Sequence, residues 1–76
     1  MSNTIRPLAK VSPENVRSLA EQEARMRFIR ARRALGLSQT AIALELGCSV
    51  DSVELWERGK VRVPAWALVA AERKAA

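Results

Sequence analysis

The chain has 76 residues, near the lower limit for a core that folds without disulfide or metal staples. One cysteine, Cys48, and no histidine exclude an internal disulfide framework and a His/Cys metal cage, so no cofactor or metal is expected and a reducing, cytoplasmic setting fits. Thirteen Lys and Arg against eight Asp and Glu leave a net charge of +5, which suits a polyanionic partner. No apolar run approaches the ~20 residues of a membrane span. The opening "MSNTIRPLAK" lacks the apolar block of a signal peptide, so no membrane association is expected.

Residues 1–11, with Pro7 and scattered apolar positions, read as a flexible basic arm bearing Arg6 and Lys10; residues 12–76 read as one domain. Ser12 suits a helix cap, Pro13 suits the first helical position, and Val11 with Val16 suits a staple across the cap. From Glu14 to Leu35 there is neither Gly nor Pro, and the spacing predicts one long first helix of roughly 33 Å. Val16, Ala20, Ala24, Phe28, Ala31 and Leu35 step by three or four and form its inward face. Leu19, Met26 and Ile29 fall off that face as a second, narrower stripe. The stripe packs against the arm, stays partly exposed, or serves as a dimer seam. "RMRFIRARR" holds five arginines in nine residues; a charge run on a helix is ordinarily a solvated face, and Arg30 and Arg33, the outermost by helical geometry, are the two assigned a phosphate contact.

Gly36 closes the first helix, and Ser38 caps a second with Ile42, Ala43 and Leu46 inward. Gly47 ends it. Ser49 caps a third, with Val53 and Trp56 inward, stopped by Gly59; after "KVRV", Pro64 opens a fourth amphipathic helix with Trp66, Val69 and Ala70 inward. There is no internal repeat, no low-complexity tract and no strand pattern longer than four residues, so the fold class is all-α, a compact four-helix domain. Cys48 reads as a small core hydrophobe, and Trp56 and Trp66 read as core rather than as stacking platforms for bases. Two helices joined by a three-residue turn cross steeply only if the contact residues are small and the turn tolerates a left-handed backbone. Ala43 and Gly47 meet those needs. Such packing leaves Val50, Asp51, Ser52, Glu54 and Leu55 without intramolecular work.

Residues 25–70 resemble the helix-turn-helix domain of phage Cro and repressor proteins, the Xre-type family. The resemblance is carried by "LGLSQ" before the first motif helix, Ala43 and Gly47 at the crossing, and "WERGK" followed by Pro64. It implies a lambda-repressor-like four-helix domain with its motif at 38–59 and a recognition helix at about 49–58 lying in the DNA major groove. Carried over by position, Val50, Asp51 and Leu55 read bases, with Ser52 close by. Gln39 touches a phosphate and braces the recognition helix, and Arg58, Lys60 and Arg62 grip phosphates on the flank. Arg32 and Glu57 form a partly buried ion pair that orients two helices. Family members often carry Gln, Arg, Lys or Asn at the base-reading positions; here Val50 and Leu55 suit thymine methyls, and Asp51 suits cytosine N4. Asp51 and Glu54 also repel phosphates, so affinity must come from the surrounding arginines, with strong salt dependence.

The expected function is therefore a sequence-specific regulator of transcription, a repressor that binds double-stranded DNA as a homodimer on an inverted-repeat operator, its half-sites about 34 Å apart. The competing expectation is a protein-interaction adaptor or antitoxin subunit that uses Val50, Leu55 and their acidic neighbours on a protein partner. An enzyme is not expected, because the sequence has no histidine, no paired carboxylates in a recognisable pocket and no glycine-rich phosphate loop.

Overall fold

The computed structural model describes residues 13–76, with side chains from Leu19 onward. The arm at residues 1–11, the Ser12 cap and the staple between Val11 and Val16 lie outside the described residues. Four helices follow one another: α1 (Pro13–Ala34), α2 (Gln39–Leu46), α3 (Val50–Arg58) and α4 (Ala65–Ala75), with no strand among the described residues. The long first helix starts at Pro13 and ends two residues before Gly36.

The caps are chemical as well as positional. Ser38 Oγ accepts from the Ala41 N–H at 3.0 Å and Ser49 Oγ accepts from the Ser52 N–H at 3.1 Å, so each short helix has one of its orphan first-turn donors satisfied by its own N-cap serine. At α2's end the Gly47 N–H donates to the Leu44 carbonyl and the Cys48 N–H to the Ala43 carbonyl, at 3.2 and 2.9 Å. This pair of bonds requires a left-handed residue, and Gly47 supplies it at φ +74°. Helices of eight and nine residues are too short to persist alone, so packing must hold them.

That packing centres on Phe28, Ile42, Val53 and Ala67, all fully buried, with Ala31, Ala43, Trp56, Val63, Leu68 and Ala71 around them. Phe28 of α1 meets Trp56 of α3 edge to face, their ring centroids 5.6 Å apart and their planes at 85°. Such a pair adds directional preference to burial. Ala24 and Leu35 are half-buried against this core, whereas Ala20, assigned to the same face from sequence, is exposed: it lies toward the amino-terminal part of α1, ahead of the half-buried Ala24 that packs on the core.

α4 is turned relative to the sequence expectation. Ala67, Leu68 and Ala71 face inward, while Trp66 and Val69 are 52% and 47% exposed. Only Ala70, half-buried, keeps part of its expected role. The small side chains of Ala67 and Ala71 let α4 lie close on α1, where an indole would hold the helices apart. Trp66 instead sets its ring edge-on to Trp56 at the rim, centroids 6.1 Å apart.

Candidate nucleic-acid interface

α2 and α3 are separated only by Gly47, Cys48 and Ser49, so the left-handed turn fixes how α3 leaves α2. Cys48 is half-buried and packs on the core. Burial pushes its thiol above the ordinary cysteine range, which disfavours the thiolate and suits a packing role over a reactive one.

The C-terminal end of α3 is bolted to α1. Arg32 Nε and Nη2 donate to Glu57 Oε2 and Oε1 at 2.6 and 2.9 Å, and Arg32 Nη1 donates to the Leu37 carbonyl at 3.0 Å. Gln39 Nε2 donates to Glu57 Oε1 at 2.8 Å. The two ionic side chains are 15% and 8% exposed, so a carboxylate sheltered from water is met by a planar two-bond fork and by an amide. Gln39 therefore reaches across from the start of α2 to α3, one amide nitrogen committed to Glu57.

Arg25 adds a contact that sequence reasoning passed over. Its Nη1 donates to the Glu57 main-chain carbonyl at 3.1 Å, satisfying an orphan acceptor in the last turn of α3 and placing positive charge at the helix's negative pole. The side chain runs beside Gly59, where an added Cβ would lie 3.6 Å from Arg25 Nε. Among five arginines in nine residues nothing in composition singles Arg25 out. The signal was its seven-residue distance from Arg32, which puts both on the flank of α1 that meets α3.

The N-terminal part of α3 is presented differently. Asp51 is exposed and Leu55 is 40% exposed, while Glu54 is half-buried. Ser52 is half-buried with its hydroxyl 3.0 Å from that of Ser49. Val50 departs from the outward placement expected of it: it is half-buried and packs on the core. As the first residue of α3 its side chain tilts back toward the helix start and so lies over the turn. Of this face, then, Asp51 and Leu55 are the accessible members.

Around it, Arg58 and Lys60 are exposed where α3 gives way to the following loop. Arg62, also exposed, has its guanidinium 3.0 Å from Glu21 of α1, so its charge is partly answered within the molecule. Arg30 and Arg33 are exposed on α1, as are Leu19 and Met26; Ile29 is half-buried. No group of three or more His, Cys, Asp or Glu side chains among the described residues could hold a metal ion, and no described helix is long and apolar enough to cross a membrane.

Residues 24–72 match the family described as a helix-turn-helix domain. These limits take in the last half of α1, all of α2 and α3, and most of α4, the elements joined through Glu57, Phe28 and Trp56. No curated protein and no solved structure matches the chain.

Proposed function

We propose that this chain, which belongs to the helix-turn-helix domain family, is a sequence-specific double-stranded DNA-binding regulator of transcription, of the Xre or Cro type, that represses by occupying an inverted-repeat operator as a dimer. The observation that carries it is the contrast along α3: a root held by Arg32, Gln39 and Arg25 and a leading face that offers Asp51 and Leu55 to solvent. In this family of geometries the second motif helix enters the major groove with its early residues at base edges. Leu55 then packs on a thymine methyl and Asp51 accepts from cytosine N4, with Val50 and Ser52 seating that end of the helix.

Phosphates on either side of the groove are met by Arg58 and Lys60, by Gln39 with its remaining amide hydrogen, and by Arg62 once it exchanges Glu21 for a phosphate. Arg30 and Arg33 add charge from α1. Phosphate contacts set register, and the few base contacts select sequence. With Asp51 and Glu54 opposing the phosphates, the positive flank carries the affinity, so binding must weaken steeply as salt rises.

The test is the affinity of the full chain for random duplex DNA over a range of salt concentration, followed by footprinting on genomic fragments. A linear fall of log affinity with log salt and a protected inverted repeat are expected; no salt-dependent binding to any duplex would overturn the proposal. An alternative role as a protein-interaction adaptor or antitoxin subunit draws on the acidic Asp51 and Glu54 beside the apolar Leu55, a mixture a protein interface also uses. That role predicts capture of a protein partner through Leu55 and no footprint.

A further inference from the structure

We propose that the outer stripe of α1 pairs antiparallel with the same stripe of a second copy of this chain. The inference rests on the dimeric regulator proposed above and names the surface that would make the dimer. Leu19 and Met26 are 60% and 47% exposed, stand seven residues apart, and so align two turns apart on the side of α1 opposite Phe28 and Ala31. Glu23 and Arg30, both exposed, have the same spacing on the same side and bracket Met26.

Charge order chooses the occupant. Two helices related by a two-fold axis beside Met26 run in opposite directions, so Glu23 of each copy lies beside Arg30 of the partner subunit, and the contact repeats itself by symmetry. A parallel pairing in register would set Glu23 against its own copy and Arg30 against its own copy. Neither side chain has an ion-pair partner among the described residues: Arg27, one turn from Glu23, is held by Glu72, and the other pairs are Arg32 with Glu57, Arg62 with Glu21 and Lys74 with Glu45. Met26 packs on Met26 of the partner subunit at the axis, where a flexible thioether fills irregular space.

The exposed face of α4 lacks this property. Trp66 and Val69 lie there with Arg73, and no acidic residue shares the stripe, since Glu72 turns to Arg27. A two-fold contact on α4 would bring no opposite charges together. A single helix stripe falls at the small end of protein interfaces, under about 1,200 Å², so the dimer is weak alone and is reinforced when both copies hold one DNA.

Sedimentation equilibrium of the full chain without DNA, from micromolar to millimolar, tests the pairing. A reversible monomer–dimer equilibrium is expected. Glu23→Arg or Arg30→Glu, each of which makes two like-charge contacts, should weaken it by at least about tenfold, the double reversal Glu23→Arg/Arg30→Glu should restore most of the loss, and Met26→Glu should abolish it. A monomeric mass at every concentration, or a double reversal no tighter than the single variants, would overturn the proposal. Binding to random duplex is measured on the unsubstituted chain, because Arg30 is also assigned to phosphates: duplex binding by a chain that stays monomeric overturns this interface alone, whereas self-association without duplex binding overturns the regulator and leaves the interface standing.

Discussion

At its C-terminal end α3 is tied to α1 and α2 by Arg25, Arg32 and Gln39, with Trp56 sunk in the core between them. At its N-terminal end it rests on a serine cap and on the half-buried Val50, and Asp51 and, one turn on, Leu55 reach solvent. The same nine-residue helix thus has a root where Glu57 is fully engaged within the molecule and a leading face where Asp51 and Leu55 are open to solvent. Side chains in the first part have their geometry fixed by the molecule, and those in the second are available to a partner that supplies the missing contacts. Preorganising the root lets the free face meet a partner without a further ordering cost.

The root is where the largest loss of stability is expected. Glu57→Ala leaves the Arg32 guanidinium, only 15% exposed in the parent, and the Gln39 amide without their carboxylate. Because Arg32 keeps the Leu37 carbonyl, the cost should fall at the low end of the range for breaking a buried pair, about 3 kcal/mol. In a domain of this size that lowers the melting temperature by about 12–24 °C, readable by circular dichroism. A shift of only a few degrees would mean that the fork contributes no more than a surface pair, and the contrast between root and face would lose its energetic basis.

The face should show the opposite pattern, little effect on folding and a selective effect on binding. Leu55→Ala is expected to cost about 1–3 kcal/mol on the operator and far less on random duplex, whereas Lys60→Ala should weaken every sequence alike and lower the salt slope by about one unit. Both variants should melt within about 1 kcal/mol of the parent, since substitutions away from the core rarely do more. Equal losses on operator and random DNA for Leu55→Ala would take the base-reading role from α3's exposed face.

Much of this contrast is written locally in the chain. Ser38, Ser49, Gly47 and Gly59 announce the ends of α2 and α3 because caps and left-handed turns are made by the residues that carry them. The side on which a helix is buried is legible only when its apolar residues are confined to one stripe. In α4 the run Ala65–Ala71 is apolar all round, so two rotations fit the sequence equally, and the choice of Ala67 and Ala71 over Trp66 depends on how closely α1 approaches. Val50 shows the same limit at smaller scale: its position at the helix start was visible, but the direction of its side chain over the turn came from packing. Arg25 sits among chemically identical neighbours; its spacing from Arg32 gives its flank of α1, but its partner, the Glu57 carbonyl, is set by where another helix ends.

Gly59 sharpens the account of the root. It closes α3 at φ +80° with Arg25 passing alongside, and Gly59→Ala should cost about 1–2 kcal/mol because a Cβ is disfavoured in that conformation. The contact with Arg25, at ordinary van der Waals distance, adds little. Chemical denaturation of Gly59→Ala alone and together with Arg25→Ala separates the two: additive losses are expected, and a strong non-additive term would mean that the added methyl acts by displacing Arg25 from the Glu57 carbonyl.

The smallest effect belongs to the pair that resembles the root in geometry and differs from it in exposure. Arg27 forks onto Glu72 at 2.6 and 2.8 Å, yet the two side chains are 47% and 37% exposed against 15% and 8% for Arg32 and Glu57. The hydrogen bond from Arg27 holds the Glu72 carboxyl below its ordinary range. A carboxyl whose folded-state value is depressed contributes its stability above the unfolded value and loses it as pH falls through the folded one. Glu72→Gln should therefore lower the melting temperature slightly at neutral pH, and the gap from the parent should close in acid and shrink in high salt, where exposed charges are screened. A gap as wide as that of Glu57→Ala, or one unmoved by acid, would show that exposure is not what separates these two forks, and the root would have to owe its strength to the Gln39 and Leu37 partners that Arg27 and Glu72 lack.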